Sequence, residues 1–231
     1  MTDYKKLEKI IRVQFKKYDL LDNVFVHRSY LNEHKKAHLP SNEKLEFLGD
    51  SVLSLITSVY LFRKYPSLQE GDYTEIKSSI VKTESLADAG MEIKLGDFMY
   101  LSKGEELGGG RINKNIVADC FEALIGCIFL DLGFDTAYEF VSRNLFKARL
   151  DYIVENKLYL SSKSKLQEYI QGKHKTIPVY KVLEEKGPEH KRIFEVGVYF
   201  NNKKLGSGVA SSKKEAEEKA AKVAFENLGL I

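Results

Sequence analysis

The sequence lacks several features that would place it in a specialised class of protein. It has no uninterrupted apolar run near the roughly 18 residues of a membrane span, and its start, MTDYKKLEKI, is charged where a secretory signal would be apolar. It has no strong excess of one charge either, since 36 basic and 33 acidic side chains give a net charge of +3. Its 231 residues are 43% apolar, which excludes a disordered or collagen-like chain. We expect a soluble, cytoplasmic protein without a membrane partner.

Cysteine is scarce as well. Cys120 and Cys127 are the two cysteines of the chain, and both lie in an apolar segment typical of a helix. Seven positions at about 1.5 Å each separate them by roughly 10 Å, whereas disulfide partners need Cα atoms within about 7 Å. No Cys-x-x-Cys motif or Cys/His pairing indicates zinc. The pattern predicts reduced core thiols, which fits a reducing compartment.

The small net charge conceals an uneven distribution. Residues 1–160 carry 22 basic and 24 acidic side chains, a net charge of −2, whereas residues 161–231 carry 14 and 9, a net charge of +5. A basic segment of this length is a candidate for binding polyanions, and a solvated basic surface is the alternative. The split favours two domains with different roles.

Hydrophobic periodicity predicts an all-α domain over residues 1–150, followed by a linker over residues 151–160. Apolar residues recur there at helical spacing, and no convincing alternating strand occurs. The predicted helices cover residues 4–17, 42–64, 73–82, 83–93, 112–132 and 134–149.

The period changes in residues 161–231, which predict a small α+β domain of order α-β-β-β-α. Ser164 and Ser212 each precede a glutamine or glutamate by three residues, which is the spacing of a capping box at a helix start. Asn201-Asn202 is a plausible tight turn between the last two strands. The predicted strands and final helix cover residues 179–185, 193–200, 204–210 and 213–228.

Two apolar segments each carry a pair of carboxylates. Glu46 and Asp50 stand at i and i+4, and Asp119 and Glu122 stand at i and i+3, so each pair lies on one face of its helix. Helices this apolar are largely buried, and buried carboxylates need a counter-charge or a metal. No lysine or arginine lies between residues 114 and 143 to neutralise the second pair.

Two such helices packed face to face would bring four carboxylates together. Hard oxygen ligands suit Mg²⁺, for which Mn²⁺ can substitute, and not zinc. A carboxylate-rich Mg²⁺ site without a nucleotide loop indicates phosphodiester hydrolysis. The glycine stretch at 104–110 is predicted to be a loop, but no Gly-Lys-Ser/Thr follows it, so no nucleotide cofactor is expected. The alternative is that some of these acids are helix-start charges or surface partners of Lys44 and Lys114.

Five segments of the chain match a known pattern. They are NEKLEFLGDSVL (42–53), VHRSYLNEH (26–34), EGDYTEIKSSIV (70–81), KGEELGGGRINKNIVADCFEALIG (103–126) and DLGF (131–134). Together they resemble the signature of the ribonuclease III family. Residues 161–231 resemble the double-stranded-RNA-binding domain that follows the nuclease domain in bacterial members. The resemblance implies an all-α nuclease domain, an α-β-β-β-α RNA-binding domain and a homodimer.

The family's catalytic positions can be carried over residue by residue. Its four catalytic carboxylates fall on Glu46, Asp50, Asp119 and Glu122. The resemblance implies that Glu46, Asp119 and Glu122 hold Mg²⁺, while Asp50 completes the metal site and helps to orient the attacking water. Two further family acids fall on Glu43 and Glu70, where contacts in the RNA valley of the dimer are implied; a solvated acid near a helix start is the alternative for both. His27 fits the family pattern as a hydrogen-bonded structural residue rather than a catalytic base.

In the basic domain the resemblance implies three contacts with duplex RNA. The helix face that would enter one minor groove consists of Ser164, Gln167, Glu168 and Gln171. His190, in the loop between the first two strands, would contact a 2′-hydroxyl or a base edge in a second minor groove. Lys213 and Lys214 would bind the phosphates between these grooves, although a solvated charged helix would explain them if they stood alone.

The expected activity is that of a homodimeric, Mg²⁺-dependent endoribonuclease for double-stranded RNA. The resemblance implies 5′-phosphate and 3′-hydroxyl ends with short 3′ overhangs, and roles in processing ribosomal, transfer and messenger RNA. The main alternative is a non-catalytic protein that binds duplex RNA, such as a ribosome-assembly factor. A DNA-directed metal nuclease is a second alternative.

Overall fold

A computed structural model describes residues 4–35, 39–147, 149–188 and 191–230. The chain divides into two compact units, Met1–Asn156 and Lys157–Ile231. The division falls inside the segment 151–160 that the sequence assigns to a linker. Each unit has its own buried apolar residues.

The described part of the first unit consists of helices joined by short connections. In chain order its α-helices are α1 (Tyr4–Ile11), α2 (Tyr18–Val24), α3 (Arg28–Glu33), α4 (Glu43–Lys64), α5 (Glu70–Ile80), α6 (Thr83–Glu92), α7 (Lys103–Leu107), α8 (Lys114–Leu132), α9 (Phe134–Val141) and α10 (Arg149–Glu155). The 3-10 helices Leu95–Phe98 and Gly110–Ile112 and a π-helical turn, Ser142–Phe146, complete it. Among these described residues an isolated bridge joins Val26 to Tyr100, and no longer strand occurs. The prediction of an all-α domain is confirmed.

Several helix boundaries differ from the predicted ones. The helix predicted over residues 4–17 ends at Ile11, and Arg12 follows it with a positive φ of 53°. The helix predicted over residues 134–149 gives way at Ser142 to the π-helical turn. Helices α2, α3 and α7 have seven residues or fewer, which is too short for a recognisable period. The last of them occupies part of the glycine stretch predicted as a loop.

The start of the predicted linker belongs to a helix instead. Helix α10 includes residues 151–155, and Asp151 accepts hydrogen bonds from Lys64 and Tyr65 at the end of α4. These bonds tie α10 to the first unit. The remainder of the predicted linker contains the division between the two units.

Helices α4 and α8 form the centre of the first unit, and their backbones are in direct contact. A Cβ on Gly49 would lie 1.8 Å from the carbonyl oxygen of Glu122, and a Cβ on Gly126 would lie 2.4 Å from that of Leu45. No side chain fits at either position. The two glycines therefore bring the first turns of α4 beside the middle of α8.

By length and composition alone, α4 is the one helix within the described ranges that could cross a membrane. Its apolar side chains also form part of the core: Leu53 and Ile56 are completely buried, and Leu61 is 1% exposed. Core helices of globular domains pass the same test of length and composition. This finding is therefore weak evidence for a span.

The second unit is a three-stranded antiparallel sheet packed against two helices. Its elements are α11 (Ser162–His174), β1 (Val179–Lys186), β2 (Ile193–Phe200), β3 (Lys203–Ala210) and α12 (Lys213–Asn227). The strand order is β1-β2-β3, which confirms the predicted α-β-β-β-α domain. Asn201 and Asn202, with positive φ values of 46° and 61°, form the tight turn before β3.

Alternation in β2 directs its apolar side chains toward the helices. Phe194 and Val196 are buried beside Ala216 of α12, and Val198 is buried against alanines of α12 and apolar side chains of α11. In β3, a Cβ on Gly206 or Gly208 would lie within 2.7 Å of the α12 backbone. Small residues on both sides thus allow α12 to lie directly on the sheet.

One of the two N-caps predicted in this unit is wrong. At α11, Ser161 and not Ser164 is the N-cap, and its hydroxyl accepts a hydrogen bond from the backbone N–H of Ser164 at 3.1 Å. At α12, Ser212 is the N-cap as predicted, and it accepts from the backbone N–H of Glu215 at 3.2 Å. Serine recurs at positions 161, 162 and 164, so spacing alone could not select the cap.

Candidate metal centre and nucleic-acid interface

Three carboxylates converge where the backbones of α4 and α8 meet. One oxygen from each of Glu46, Asp119 and Glu122 lies within 4.8 Å of the other two, and all three side chains are half-buried. The cause is the contact at Gly49, which lies one turn after Glu46 and against the backbone of Glu122. The packing of two glycines thus determines the geometry of the acidic cluster.

The three carboxylates repel one another in a partly desolvated setting. Burial, and then the neighbouring carboxylates with Asp50 foremost, raise the pKa of Glu122 to about 8. Burial also raises the pKa of Glu46 and of Asp119, and the positive charge of Arg28 opposes both increases. The binding of a positive charge between the three side chains would therefore be favourable.

A hard divalent cation would supply that positive charge. The cluster consists of carboxylates alone, and Mg²⁺ and Mn²⁺ prefer oxygen ligands, whereas structural zinc takes mainly cysteine and histidine. A cation bound between them would turn mutual repulsion into attraction. Within the described ranges it is the one group of three or more potential ligands that lie this close together. The residues present thus fit a metal of this class.

Asp50 lies at the rim of the cluster and not inside it. It stands one turn beyond Glu46 on α4, and its side chain is exposed. Its charge is the first cause after burial of the raised pKa of Glu122. The structure thus brings together three of the four paired acids, and the fourth acts on them at longer range.

A polar pocket of about 540 Å³ opens beside the cluster. Its wall contains four asparagines, the cation Arg28 and the carboxylates of Glu43, Glu46, Glu105 and Asp119. Glu43 accepts a hydrogen bond from the Ser41 hydroxyl at 2.8 Å. The predicted valley residue Glu43 therefore shares a pocket with two of the clustered acids.

His27 holds one side of this pocket in place. The Nδ1 atom of His27 accepts a hydrogen bond from the backbone N–H of Ser29 at 3.3 Å and caps α3. The backbone N–H of His27 donates a hydrogen bond to the backbone carbonyl of Tyr100 at 3.2 Å. Burial lowers the pKa of His27. These contacts suit the hydrogen-bonded structural role expected from the sequence.

Glu70 lies apart from this pocket. It is the exposed first residue of α5, and it accepts a hydrogen bond from the Thr74 hydroxyl at 3.2 Å. It does not line the pocket that contains Glu43. Within the single chain the structure does not bring Glu70 to the three carboxylates.

In the second unit, α11 presents the polar face expected to enter a minor groove. Gln167, Glu168 and Gln171 are exposed on that face, and Ser164 is half-buried at its beginning. Glu168 forms an ion pair with Lys157 at 3.2 Å. Three of the four side chains are therefore accessible to a ligand.

The two predicted phosphate ligands lie at the start of α12. Lys213 and Lys214 are exposed in its first turn, where backbone N–H groups also point outward. The Lys213 ammonium lies 5.3 Å from the centre of the Phe194 ring. His190 lies outside the described residues.

Two parts of the site were not predicted. Gly49 follows Glu46 by three residues and Gly126 follows Glu122 by four, and this recurrence of a small residue beside each acidic pair could have indicated a close helix contact. Arg28 and the asparagine-rich wall could not be found in this way. The position of Arg28 depends on the bridge between Val26 and Tyr100, which no local pattern reveals.

Comparison with protein families gives two matches that together cover most of the chain. Residues 17–149 match the family described as Ribonuclease-III-like, and residues 162–228 match the double-stranded RNA binding motif. These ranges correspond to the helical unit and the α-β-β-β-α unit.

Similar proteins and structures agree with this division. The chain is 42% identical to Ribonuclease 3 of Bacillus licheniformis over 225 residues, which is 97% of this chain and 90% of the relative. It is 43% identical to Ribonuclease 3 of Clostridium acetobutylicum over 223 residues, 96% of each chain. A crystal structure of the nuclease domain of ribonuclease III from Campylobacter jejuni is 36% identical, with a TM-score of 0.59 over 64% of this chain and 97% of that one. A second structure of that domain, described as flexible in a region involved in dimer formation, is 35% identical with the same TM-score over 64% of this chain and 99% of that one.

Proposed function

This chain belongs to the ribonuclease III family and is an endoribonuclease that acts on double-stranded RNA, and we propose that Glu46, Asp119 and Glu122 are the Mg²⁺ ligands of its nuclease unit. The observation that carries the proposal is the convergence of their oxygens to within 4.8 Å of one another. Nuclease domains of this family are metal-dependent. The all-carboxylate ligand set supports Mg²⁺, with Mn²⁺ as a substitute.

When bound, the cation would activate water and stabilise negative charge on the phosphate oxygens. We assign the orientation of the attacking water to Asp50, because its exposed carboxylate can accept a hydrogen bond and is not needed to complete the cluster of three. Burial raises the pKa of Glu122 to about 8, so its carboxyl group is mostly protonated at neutral pH in the metal-free protein. Metal binding would therefore displace a proton from Glu122.

The second unit would bind the RNA duplex. The exposed face Gln167, Glu168 and Gln171 offers donors and acceptors suited to the 2′-hydroxyls of an A-form minor groove. Lys213, Lys214 and the first N–H groups of α12 would bind the phosphates beside that groove. His190, which lies between β1 and β2 in the sequence, would contact a second minor groove.

We also propose that the chain forms a homodimer through the outer face of α4. Phe47, Leu55 and Phe62 are 79%, 54% and 73% exposed, and at 100° per residue they fall within about 80° of one another around the helix. Large apolar side chains grouped on one face favour contact with another protein surface. Glu43 and Glu70 would then face the RNA in a valley shared by the two protomers.

Further properties follow from family membership and from the thiols. We propose that the products carry 5′-phosphate and 3′-hydroxyl ends with short 3′ overhangs, and that the substrates include precursors of ribosomal and transfer RNA and structured messages. Cys120 and Cys127 are both buried and unpaired, which supports a reducing, cytoplasmic setting.

One assay tests the catalytic proposal. The full chain is incubated with a long duplex RNA in Mg²⁺ and, separately, in EDTA, and the fragments are sized and their ends are identified. Cleavage that requires Mg²⁺ and leaves 5′-phosphates is expected. Cleavage at the same rate in EDTA would contradict the metal assignment. Tight, salt-sensitive binding without any cleavage in Mg²⁺ would instead favour the non-catalytic alternative, and equal cleavage of a DNA duplex of the same sequence would favour the DNA-directed one.

A further inference from the structure

The pocket beside the acidic cluster has an unbalanced charge for a site that receives RNA. Four carboxylates, Glu43, Glu46, Glu105 and Asp119, line it, whereas Arg28 is its one permanently charged cation among the described residues. An RNA strand brings a further negative charge with each nucleotide. A metal bound by Glu46 and Asp119 would offset part of this charge, but the outer part of the pocket would depend on Arg28.

Arg28 is available for such a contact. Its side chain is 75% exposed, and its closest carboxylate is Glu43, at 3.9 Å from one terminal nitrogen. That distance is too long for a strong hydrogen bond, so the five N–H donors of the guanidinium remain available to a ligand.

The backbone beneath Arg28 is held in place. The residue begins α3 directly after His27, whose side chain caps that helix and whose backbone N–H donates a hydrogen bond to the carbonyl of Tyr100. The neighbouring Ser29 hydroxyl accepts a hydrogen bond from the backbone N–H of Ser102 at 3.1 Å. Contacts on both sides therefore hold the base of the side chain, while its charged end is free to meet a ligand.

We propose that Arg28 binds a backbone phosphate of the RNA strand beside the scissile phosphodiester, an inference that rests on the proposed nuclease function of this site. The planar guanidinium can donate two parallel hydrogen bonds to one phosphate. Arg28 would thus hold the strand in register with the three carboxylates.

The test compares Arg28→Gln and Arg28→Lys with Arg63→Gln in the full chain. Arg63 is an exposed arginine near the opposite end of α4, 17 residues and about 25 Å along the helix from Glu46. It therefore controls for the loss of one positive charge. The substrate is a hairpin RNA with a single cleavage site, and kcat and KM are measured at several Mg²⁺ concentrations. Binding is measured against salt in a Glu122→Gln background, in which no cleavage is expected.

We expect Arg28→Gln to lower kcat/KM by about 10- to 100-fold, the effect of losing a charge-assisted hydrogen bond. The slope of log affinity against log salt should fall by about one, because one phosphate contact is lost. Arg28→Lys should recover part of the loss, since it keeps the charge but not the paired donors. The Mg²⁺ concentration for half-maximal rate should stay the same, and Arg63→Gln should match the parent chain.

Three results would overturn the proposal while leaving the proposed nuclease function intact. One is an Arg28→Gln variant with the kcat/KM and salt slope of the parent. Another is an equal loss in Arg63→Gln, which would indicate a general charge effect. The third is a changed Mg²⁺ requirement with an unchanged salt slope, which would mean that Arg28 acts on the metal ligands and not on RNA. If the parent chain itself failed to cleave, the nuclease function would fail.

Discussion

The nuclease unit gathers its proposed metal ligands between two packed helices, whereas the C-terminal unit displays its proposed phosphate-binding lysines on an exposed surface. Glu46, Asp119 and Glu122 are half-buried within 4.8 Å of one another, but Lys213 and Lys214 stand in water at a helix start. Burial strengthens electrostatic interactions and protects them from salt, and exposure has the opposite effect. The first site should therefore respond to a divalent metal, and the second should respond to ionic strength.

The strongest test of this separation removes one buried charge. Glu122→Gln keeps the size and hydrogen-bonding capacity of the side chain but takes away a proposed metal ligand. We expect the cleavage rate to fall on the order of 10³-fold or more, because the site loses stabilisation of the transition state by several kcal/mol. Affinity for duplex RNA and its salt dependence should not change, as measured by electrophoretic mobility shift. A large loss of binding would mean that the two sites are not separable.

The next largest effect should come from the helix contact beneath the acids. Gly126→Ala places a Cβ 2.4 Å from the carbonyl oxygen of Leu45, so α4 and α8 must move apart. We expect the nuclease unit to lose about 3 kcal/mol of stability, as in other overpacked cores. Hydrogen exchange should show the loss in residues 4–147 and not in residues 162–230.

Gly71→Ala is the matched control within the same unit. Gly71 lies in α5, and no atom lies within 4 Å of the Cβ that alanine would add. Alanine there should stabilise the helix by at most about 1 kcal/mol. Equal behaviour of the two variants would mean that the contact between α4 and α8 does not organise the site.

The same comparison separates what the sequence could predict from what it could not. The pairs Glu46/Asp50 and Asp119/Glu122 were found by spacing, because helix geometry alone places such residues on one face. Which of the four acids converge depends on the angle and depth of the helix contact. Spacing carries no information on either, so it does not distinguish Asp50 at the rim from the three acids of the cluster; only the family resemblance implies that distinction.

The C-terminal unit was easier to predict because its elements are local. The alternation in β2, the Asn201-Asn202 turn and the Ser212 cap each depend on residues a few positions apart. The short helices of the nuclease unit carry no such signal, and the wall that presents Arg28 is built by a bridge across 74 positions, from Val26 to Tyr100. The residues missed by sequence reasoning are those that depend on distant parts of the chain.

Removing the exposed positive charges of the C-terminal unit should have a moderate effect, and it should change RNA binding rather than the metal-dependent rate. Lys213→Gln/Lys214→Gln should weaken duplex RNA binding by roughly 10-fold or more at moderate salt and lower the salt slope by about two, one for each phosphate contact. The Mg²⁺ dependence of the rate at saturating RNA should stay the same. A salt slope equal to that of the parent would show that these lysines are merely solvated.

The smallest expected effect concerns the C-terminal boundary of the nuclease unit. Asp151 joins α10 to α4 through hydrogen bonds from Lys64 and Tyr65, which lower the pKa of Asp151. Asp151→Asn should reduce stability by at most about 1 kcal/mol, because the Lys64 and Asp151 side chains are 40% and 41% exposed and solvent screens the pair.

The sign of the pH dependence identifies the cause of that loss. A carboxylate with a lowered pKa stabilises the folded state above its ordinary pKa of about 3.9 and ceases to do so as the pH falls through the lower folded value. The difference in stability between the parent and Asp151→Asn, measured by urea unfolding, should therefore be full at pH 7 and diminish below about pH 4. If it persisted unchanged in acid, packing and not charge would hold α10 to the nuclease unit. If no difference existed at pH 7, this ion pair would not set the limit of the unit, and residues 151–155 would function as part of the linker despite their helical form.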